Sequence, residues 1–567
     1  MVSSADASGS TTVATLPPAT SQKNVRLRLA VEGIRDMMAA MKDTFARYMP
    51  EQNIDPEAFV KAGLLQSGFG PGFFENLDLD RLAAFDVAFP PRGGASASVD
   101  VLGSVPVKQA RKLIESMPAA IRPQPLGGGM WELALDSRLR LVLRESATTL
   151  DVARTVNQLD VAASLPASFG AGRRVRLQAT DIPVDDVGIA SELLGMPDGS
   201  GIGKQLDAVV REAKALWVQA DFGIGRDAEL AASAEAPFHK LGLEPLGAPR
   251  TAASRTESLL AKRPVAALTI SWGNPSLLHR TLDQQIPADA IPEPYGSLLR
   301  KALTHVHALL DQISDDVAIA FYLTPKGEGG VLLAAGVRDE AASKASLRGL
   351  NEVISNAVLE RNKLVGKNTQ AQLKMTWKPD GLTLTKAKAD HLSVTLPAEL
   401  LETTPAAKMM LSGGTKLDSI ALVRDRTVFV AIGAAARSVM AQVARRSANP
   451  ESPGLALARR GVSGCQICFA GDAIGLYRVM MLTNASATKD KALDEAAATL
   501  AKPGLSGPFG AGIRLENDRA SAAFIAAKEL MFAPPETTRA VRKARDALVQ
   551  AQRRAAETSQ QAPVSPP

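Results

Sequence analysis

One pattern recurs along the chain and limits what it can become: two short stretches of alternating apolar and polar residues, a tight turn between them, then a run with helical spacing. Met130–Asp136 (MWELALD) and Arg138–Arg144 (RLRLVLR) read as a hairpin, and ATTLDVARTVNQL after them carries apolar residues at helical spacing. Asp418–Val423 and Thr427–Ile432 flank Arg424-Asp425-Arg426 and precede the Ala-rich AAARSVMAQVARR. A third copy runs Val317–Leu323, the turn TPKGEGG, Val331–Val337, and a helix from Glu340 with Asp339 as its cap. Half-copies occur at Ala95–Leu102 with a helix from Pro106, and at Val265–Ser271 with Asn274-Pro275 opening a helix. Two further hairpins are expected without helices of their own, one around Pro379-Asp380-Gly381 and one around Asn517-Asp518.

Each such unit has an apolar sheet face and an apolar helix stripe, and both must be covered. The expected class is therefore α+β, with two related lobes of antiparallel sheets packed with amphipathic helices. The spacing of the copies is too long and irregular for a propeller or a short-repeat solenoid. Small residues and prolines in PLGAPRTAAS mark a boundary. The expected organisation is a disordered segment over 1–24, an N-terminal lobe over 25–248 and a linker over 249–261. A C-terminal lobe over 262–533 and a basic helix with a disordered tail over 534–567 complete it. The first segment is rich in Ser, Thr, Ala and Pro and lacks the apolar core of a secretory leader.

The segments Asn76–Pro90, Val317–Leu350 and Leu417–Val443, with LDLDRLAAFDVAF and the hairpin–helix order, resemble a family of putative exported bacterial proteins of unknown function. That resemblance implies an extracytoplasmic protein, in the periplasm or at the cell surface. The sequence as it begins carries no leader, so a cytoplasmic place stays open as the alternative.

Charge and composition exclude more than they identify. Lys and Arg total 65 against 59 acidic residues, a mild +6 on 567 residues, so specific nucleic-acid binding is not expected. Basic residues gather only near the end, at Arg539, Arg542, Lys543, Arg545, Arg553 and Arg554. They form either a solvated helix face or an electrostatic patch for an acidic partner or membrane surface. No apolar run is long enough for a transmembrane helix.

Motifs for chemistry are sparse. In DGSGIGKQ, Asp198 and Gln205 stand where a phosphate loop needs Gly and Ser or Thr. SGPFGAGIR leads into a strand and offers no helix N-terminus to an anion. His305 and His307 would point apart on a helix, so no shared metal is expected. Asp185-Asp186 and Asp315-Asp316 read as loop carboxylates or caps. No catalytic, cofactor-binding or metal-ligating residue is assigned.

The sharp feature is Cys465 and Cys468 in SGCQICFAGD, the two cysteines of the chain. A strand over Val462–Ala470 would put the two sulfurs on opposite faces, where they serve packing. A structural disulfide at a bend, a redox pair and a metal site are the other readings. The leading functional expectation is a non-enzymatic cell-envelope binding or scaffold protein whose partner is an unknown protein or a hydrophobic ligand. The alternatives are a carrier of a lipid or hydrophobic peptide in an apolar groove, and a CxxC thiol oxidoreductase.

Overall fold

A computed structural model describes residues 25–89, 99–135, 139–169, 173–180, 212–238, 247–249, 253–260, 263–273, 279, 282–283, 286, 291–366, 371–385, 387–397, 405–445 and 452–561. It is a mixed α+β fold with extensive antiparallel sheet. Two compact units emerge: Met1–Glu244 with Leu515–Phe532, and Pro245–Arg514 with Ala533–Pro567. The stretch 515–532, expected with the C-terminal half, thus groups with the first unit.

In the first unit the strands are β1 (Val25–Val31), β2 (Ala83–Phe89), β3 (Asp100–Pro106), β4 (Gln124–Gly127) and β5 (Met130–Ala134). They continue with β6 (Arg140–Glu145), β7 (Thr149–Ala153), β8 (Val175–Thr180), β9 (Ala215–Asp221) and β10 (Ala228–Glu235). Late in the chain comes Arg519–Ala526, which pairs with β10. The lateral order is β4-β5-β6-β7-β3-β2-β1-β8-β9-β10, every pair antiparallel.

The second unit holds β11 (Ala266–Ser271), β12 (Ile313–Leu323), β13 (Gly329–Val337), β14 (Lys374–Leu384) and β15 (Ala387–Thr395). After these come β16 (Lys416–Arg424), β17 (Thr427–Gly433), β18 (Ile467–Asp472) and β19 (Pro508–Leu515). Their order is β14-β15-β16-β17-β13-β12-β11-β18-β19, again antiparallel. Adding ten to each number from β4 to β9 in the first unit reproduces this order.

Helices fill corresponding intervals. In the first unit α1 (Ile34–Tyr48), α2 (Pro56–Gln66) and α3 (Gly72–Asn76) separate β1 from β2, α4 (Ala110–Glu115) follows β3, and α5 (Leu159–Ser168) follows β7. In the second, α6 (Tyr295–Gln312) precedes β12, α7 (Glu340–Val365) follows β13, and α8 (Ala436–Ala444) follows β17. Then come α9 (Pro453–Gly461), α10 (Ala473–Thr488), α11 (Lys491–Leu500) and α12 (Pro535–Gln561). One core packs α5 through Leu159, Ala162 and Leu165 onto Ala30, Ala84 and Ala153 of the sheet. Small sheet residues let the helix approach closely while its leucines fill the gap.

Several local expectations are seen directly. Asp425 and Arg426 both take positive φ, the backbone of a two-residue turn whose twist suits a hairpin. Asp339 accepts hydrogen bonds from the N–H groups of Ala341 and Ala342. At Asn517-Asp518 the Glu516 N–H donates to the Arg519 carbonyl, closing the expected turn.

Three others differ. TLDVA is the strand β7, not the start of a helix, so the hairpin before α5 is β6–β7. It lies between β3 and β6, and although Thr149-Leu150-Asp151-Val152 alternates as a strand does, Asp151 on its polar side is buried along with Leu150 and Ala153. Asp151 is tolerated there because Ser104, Ser146 and Thr149 donate to its carboxylate. Of the half-copy strand expected over Ala95–Leu102, positions 95–98 lie outside the described residues; the strand extends beyond the expected end, with β3 running to Pro106 and its helix starting at Ala110 rather than Pro106.

Pro379-Asp380-Gly381 is likewise not a hairpin turn but an irregularity inside β14, with the register shifting between Lys378 and Leu382. Arg348 of α7 holds it, donating to both Asp390 and Asp380, and the Asp380 N–H donates to Asp390. Hydrogen bonds from Arg348 and then Lys344 hold the Asp380 carboxyl down at about 2, from an ordinary 3.8. A carboxyl depressed on folding stabilises the fold above its unfolded value, and that contribution fades as pH falls from about 4 toward 2. We therefore expect Asp380→Asn to lower the melting temperature at pH 6 and to differ little from wild type at pH 2, read by thermal unfolding at both.

β4 and β14 end the two orders, and they carry Pro125 and Pro379. Missing N–H groups on these strands weaken them as templates for further strand addition.

Candidate functional site

The region around Cys465 is built from α9, the bend after it, and β18. Helix α9 lies against β18 and β19 because glycines face each other: a Cβ on Gly510 would strike the backbone of Gly454 and Ala458. After Gly461 the chain bends, with the Cys465 N–H donating to the Val462 carbonyl, and regular pairing starts only at Ile467. The expected strand over Val462–Ala470 is therefore wrong at its first half. Cys465 sits in the bend and Cys468 in the strand, so their Cα atoms are 6.0 Å apart and the sulfurs are joined as a disulfide. In register, Cys468 faces Thr269 on one side and Gly512 on the other. A side chain at 512 would press on the Cys465 Cβ at 3.2 Å, so glycine there makes room for the bridge.

Both cysteines are buried, at 2% and 4% exposure, and they line one small pocket. Glu257, Arg459, Asp316 and Thr269 share it. Arg459, near the C-terminal end of α9, donates both Nη atoms to the Glu257 carboxylate at 2.7 and 2.9 Å. Their side chains are 9% and 2% exposed, so this is a buried, bidentate ion pair.

Glu257 comes from the stretch read as a linker. There, Arg255–Ser258 forms one turn of helix whose cap, Ser254, accepts from the Glu257 N–H. Ser254, Thr256, Glu257 and Leu260 are all buried. A second tie comes from Gln466, whose Nε2 donates to the Gly247 carbonyl at 2.7 Å. Sequence reasoning missed Glu257 and Arg459, which lie 202 positions apart. The available signal was Ser254-x-x-Glu257, a spacing that marks a helix start rather than a free connection.

Other candidates resolve into structural roles. Asp472 caps α10 and receives the Gly507 N–H at 2.7 Å; burial pushes its carboxyl up against those hydrogen bonds. His305 and His307 both lie on α6, and the His307 ring stacks on His279 at 4.4 Å. Among the described residues no group of three or more His, Cys, Asp or Glu could hold a metal ion. Arg26 and Arg28 of β1 both reach Asp86, and Arg28 lies 4.9 Å over the Phe169 ring. In α1, Met37 and Met38 are core while Met41 is exposed.

Helix α12 buries Ala540, Ala544, Ala547 and Ala551 against α10 and α11. Arg539, Lys543 and Arg553 are exposed, Arg545 pairs with Asp546, and Arg554 reaches Asp490. Arg542 is half-buried on the same helix. DGSGIGKQ and Asp185-Asp186 lie outside the described residues. No helix among the described residues is long and apolar enough to cross a membrane. Comparisons with protein families, curated proteins and solved structures find no match.

Proposed function

We propose that the Cys465–Cys468 pair is a reversible thiol–disulfide centre and that the protein is a CxxC thiol oxidoreductase, working in an oxidising compartment outside the cytoplasm. The observation that carries this reading is the pocket. The bridge lines a small pocket together with the charged residues Asp316, Glu257 and Arg459, whereas cysteines used for packing alone would favour apolar neighbours. Its value as a staple is small: closing so short a loop stabilises a fold by only about 2 kcal/mol in the chain-entropy account.

The chemistry balances with an external thiol as reductant. A thiolate attacks one sulfur, the S–S bond breaks, and the other cysteine leaves as a thiolate. A second external thiol attacks the mixed disulfide, so two electrons and two protons end on the cysteines and the reagent leaves as its own disulfide. The absence of a following helix distinguishes the site from a CxxC at a helix N-terminus: Cys465 follows α9 and Cys468 enters a strand, so no helix dipole favours its thiolate. A slow, poised centre is expected rather than a rapid one.

Burial of both sulfurs favours a second reading, a binding or scaffold protein of the cell envelope in which the bridge is only a staple. The shared strand order supports a further part of that account, two related lobes arising by duplication of one α+β unit. The deciding experiment equilibrates folded protein in glutathione buffers and counts thiols by alkylation and mass. A reversible two-thiol transition in folded protein supports the centre; thiols that appear only on unfolding make it a staple.

A further inference from the structure

Strands flank the bridge and a helix covers it. Cys468 lies in β18 between β11 and β19, opposite Thr269 on one side and Gly512 on the other. Over that face lies α9, whose Ala458 carbonyl oxygen is 2.7 Å from where a Cβ on Gly512 would stand. Cys465 sits in the bend that follows the same helix, and the two residues are only 2% and 4% exposed. The room left beside the sulfurs is the small pocket, and its free space is about that of one water molecule.

Size therefore decides which reagents meet the sulfurs in the folded protein. Exchange with a thiol or disulfide brings the incoming sulfur into contact with a cysteine sulfur. Glutathione is a tripeptide, and a protein cysteine is carried on a far larger body. Neither fits this space, so each reacts only when the fold opens locally. Hydrogen peroxide is a pair of bonded oxygens, close to water in size, and it can both donate and accept hydrogen bonds. Water-sized molecules enter such spaces through fluctuations that leave a sheet paired.

We propose that the reduced Cys465–Cys468 centre is oxidised by hydrogen peroxide within the folded protein, and that the fold holds off glutathione disulfide and protein disulfides. This rests on reading the pair as a reversible centre, and it adds the class of oxidant. A cysteine thiolate attacks one peroxide oxygen, the O–O bond breaks, and hydroxide leaves and takes up a proton as water. The second cysteine's thiolate attacks the sulfenic acid so formed, the S–O bond breaks, and a second water leaves. Two thiols and one peroxide become a disulfide and two waters, with two electrons passing from sulfur to oxygen.

The test reduces the full-length protein with dithiothreitol, removes the reagent, and follows thiol loss with hydrogen peroxide and with oxidised glutathione. Each rate is divided by that of the same oxidant with free dithiothreitol, which cancels much of the difference in intrinsic reactivity. The ratio for oxidised glutathione should fall at least about a hundredfold below the ratio for peroxide, because only the larger reagent waits for local opening. Urea below the unfolding midpoint should speed the glutathione reaction and leave the peroxide rate within about twofold. Equal ratios, or a peroxide rate that climbs with urea in step with the glutathione rate, overturn the size selection and leave the centre reversible. Failure of the centre shows differently. Reduced protein that has lost its folded circular dichroism, or that re-forms no bridge with either oxidant, removes the reversible centre and this proposal with it.

Discussion

Gly510→Val is expected to unfold the second unit or to lower its melting temperature by about 10 °C, for a loss of about 3 kcal/mol or more. The cause lies in backbone rather than in side chains that could move aside. A Cβ at 510 meets the Gly454 carbonyl oxygen and the Ala458 nitrogen, both on α9, and the Cβ of Leu457 at 3.0 Å. Relief requires α9 to lift from β18 and β19, exposing Leu455, Ala458 and Ala470, which are buried in the native fold. Gly504→Ala makes a useful contrast. That glycine has no atoms near its Cβ but a φ of +89°, so it should cost only about 1 kcal/mol through backbone strain. Thermal unfolding followed by circular dichroism separates the two; equal losses would show that the close helix–sheet contact is not what holds α9.

Arg459→Ala is the second large effect. It leaves the Glu257 carboxylate buried without its bidentate partner, and such a loss costs about 3–5 kcal/mol. The double variant Arg459→Met with Glu257→Leu should recover most of that loss, because two apolar side chains satisfy the same space without a stranded charge. Denaturant unfolding of wild type, the single variant and the double variant gives the loss and its recovery. A double variant as unstable as the single one would mean that the pair supplies something beyond mutual neutralisation.

Turn and cap chemistry in this chain is local, and it was readable. Arg424-Asp425-Arg426 forms a hairpin turn, and Asp339 caps α7, from residues within a few positions of each other. Where the sequence misled, a distant partner had changed the local preference. Pro379-Asp380-Gly381 has the composition of a turn, but Arg348 from α7 holds it within β14. Thr149–Ala153 alternates polar and apolar residues, but so short a run does not separate strand from helix, and it is pairing with β3 and β6 that decides.

The site divides in the same way. Cys465 and Cys468 are visible as a motif, but their pairing depends on where the bend ends, one position before Ile467. The carboxylate that shares the pair's pocket arrives from Glu257, in a segment whose prolines and alanines conceal an ordered turn. The strand order shared by the two units is invisible to periodicity, since it is a property of which strands meet and not of any one strand.

One measurement tests the central claim most directly: thiol content and far-ultraviolet circular dichroism recorded on the same samples across a series of glutathione buffers at equilibrium. The account predicts that Cys465 and Cys468 pass together from disulfide to dithiol, and back, while the circular dichroism of the folded protein stays unchanged. Thiols that emerge only in step with loss of the folded signal would contradict it and leave the bridge as a structural clasp.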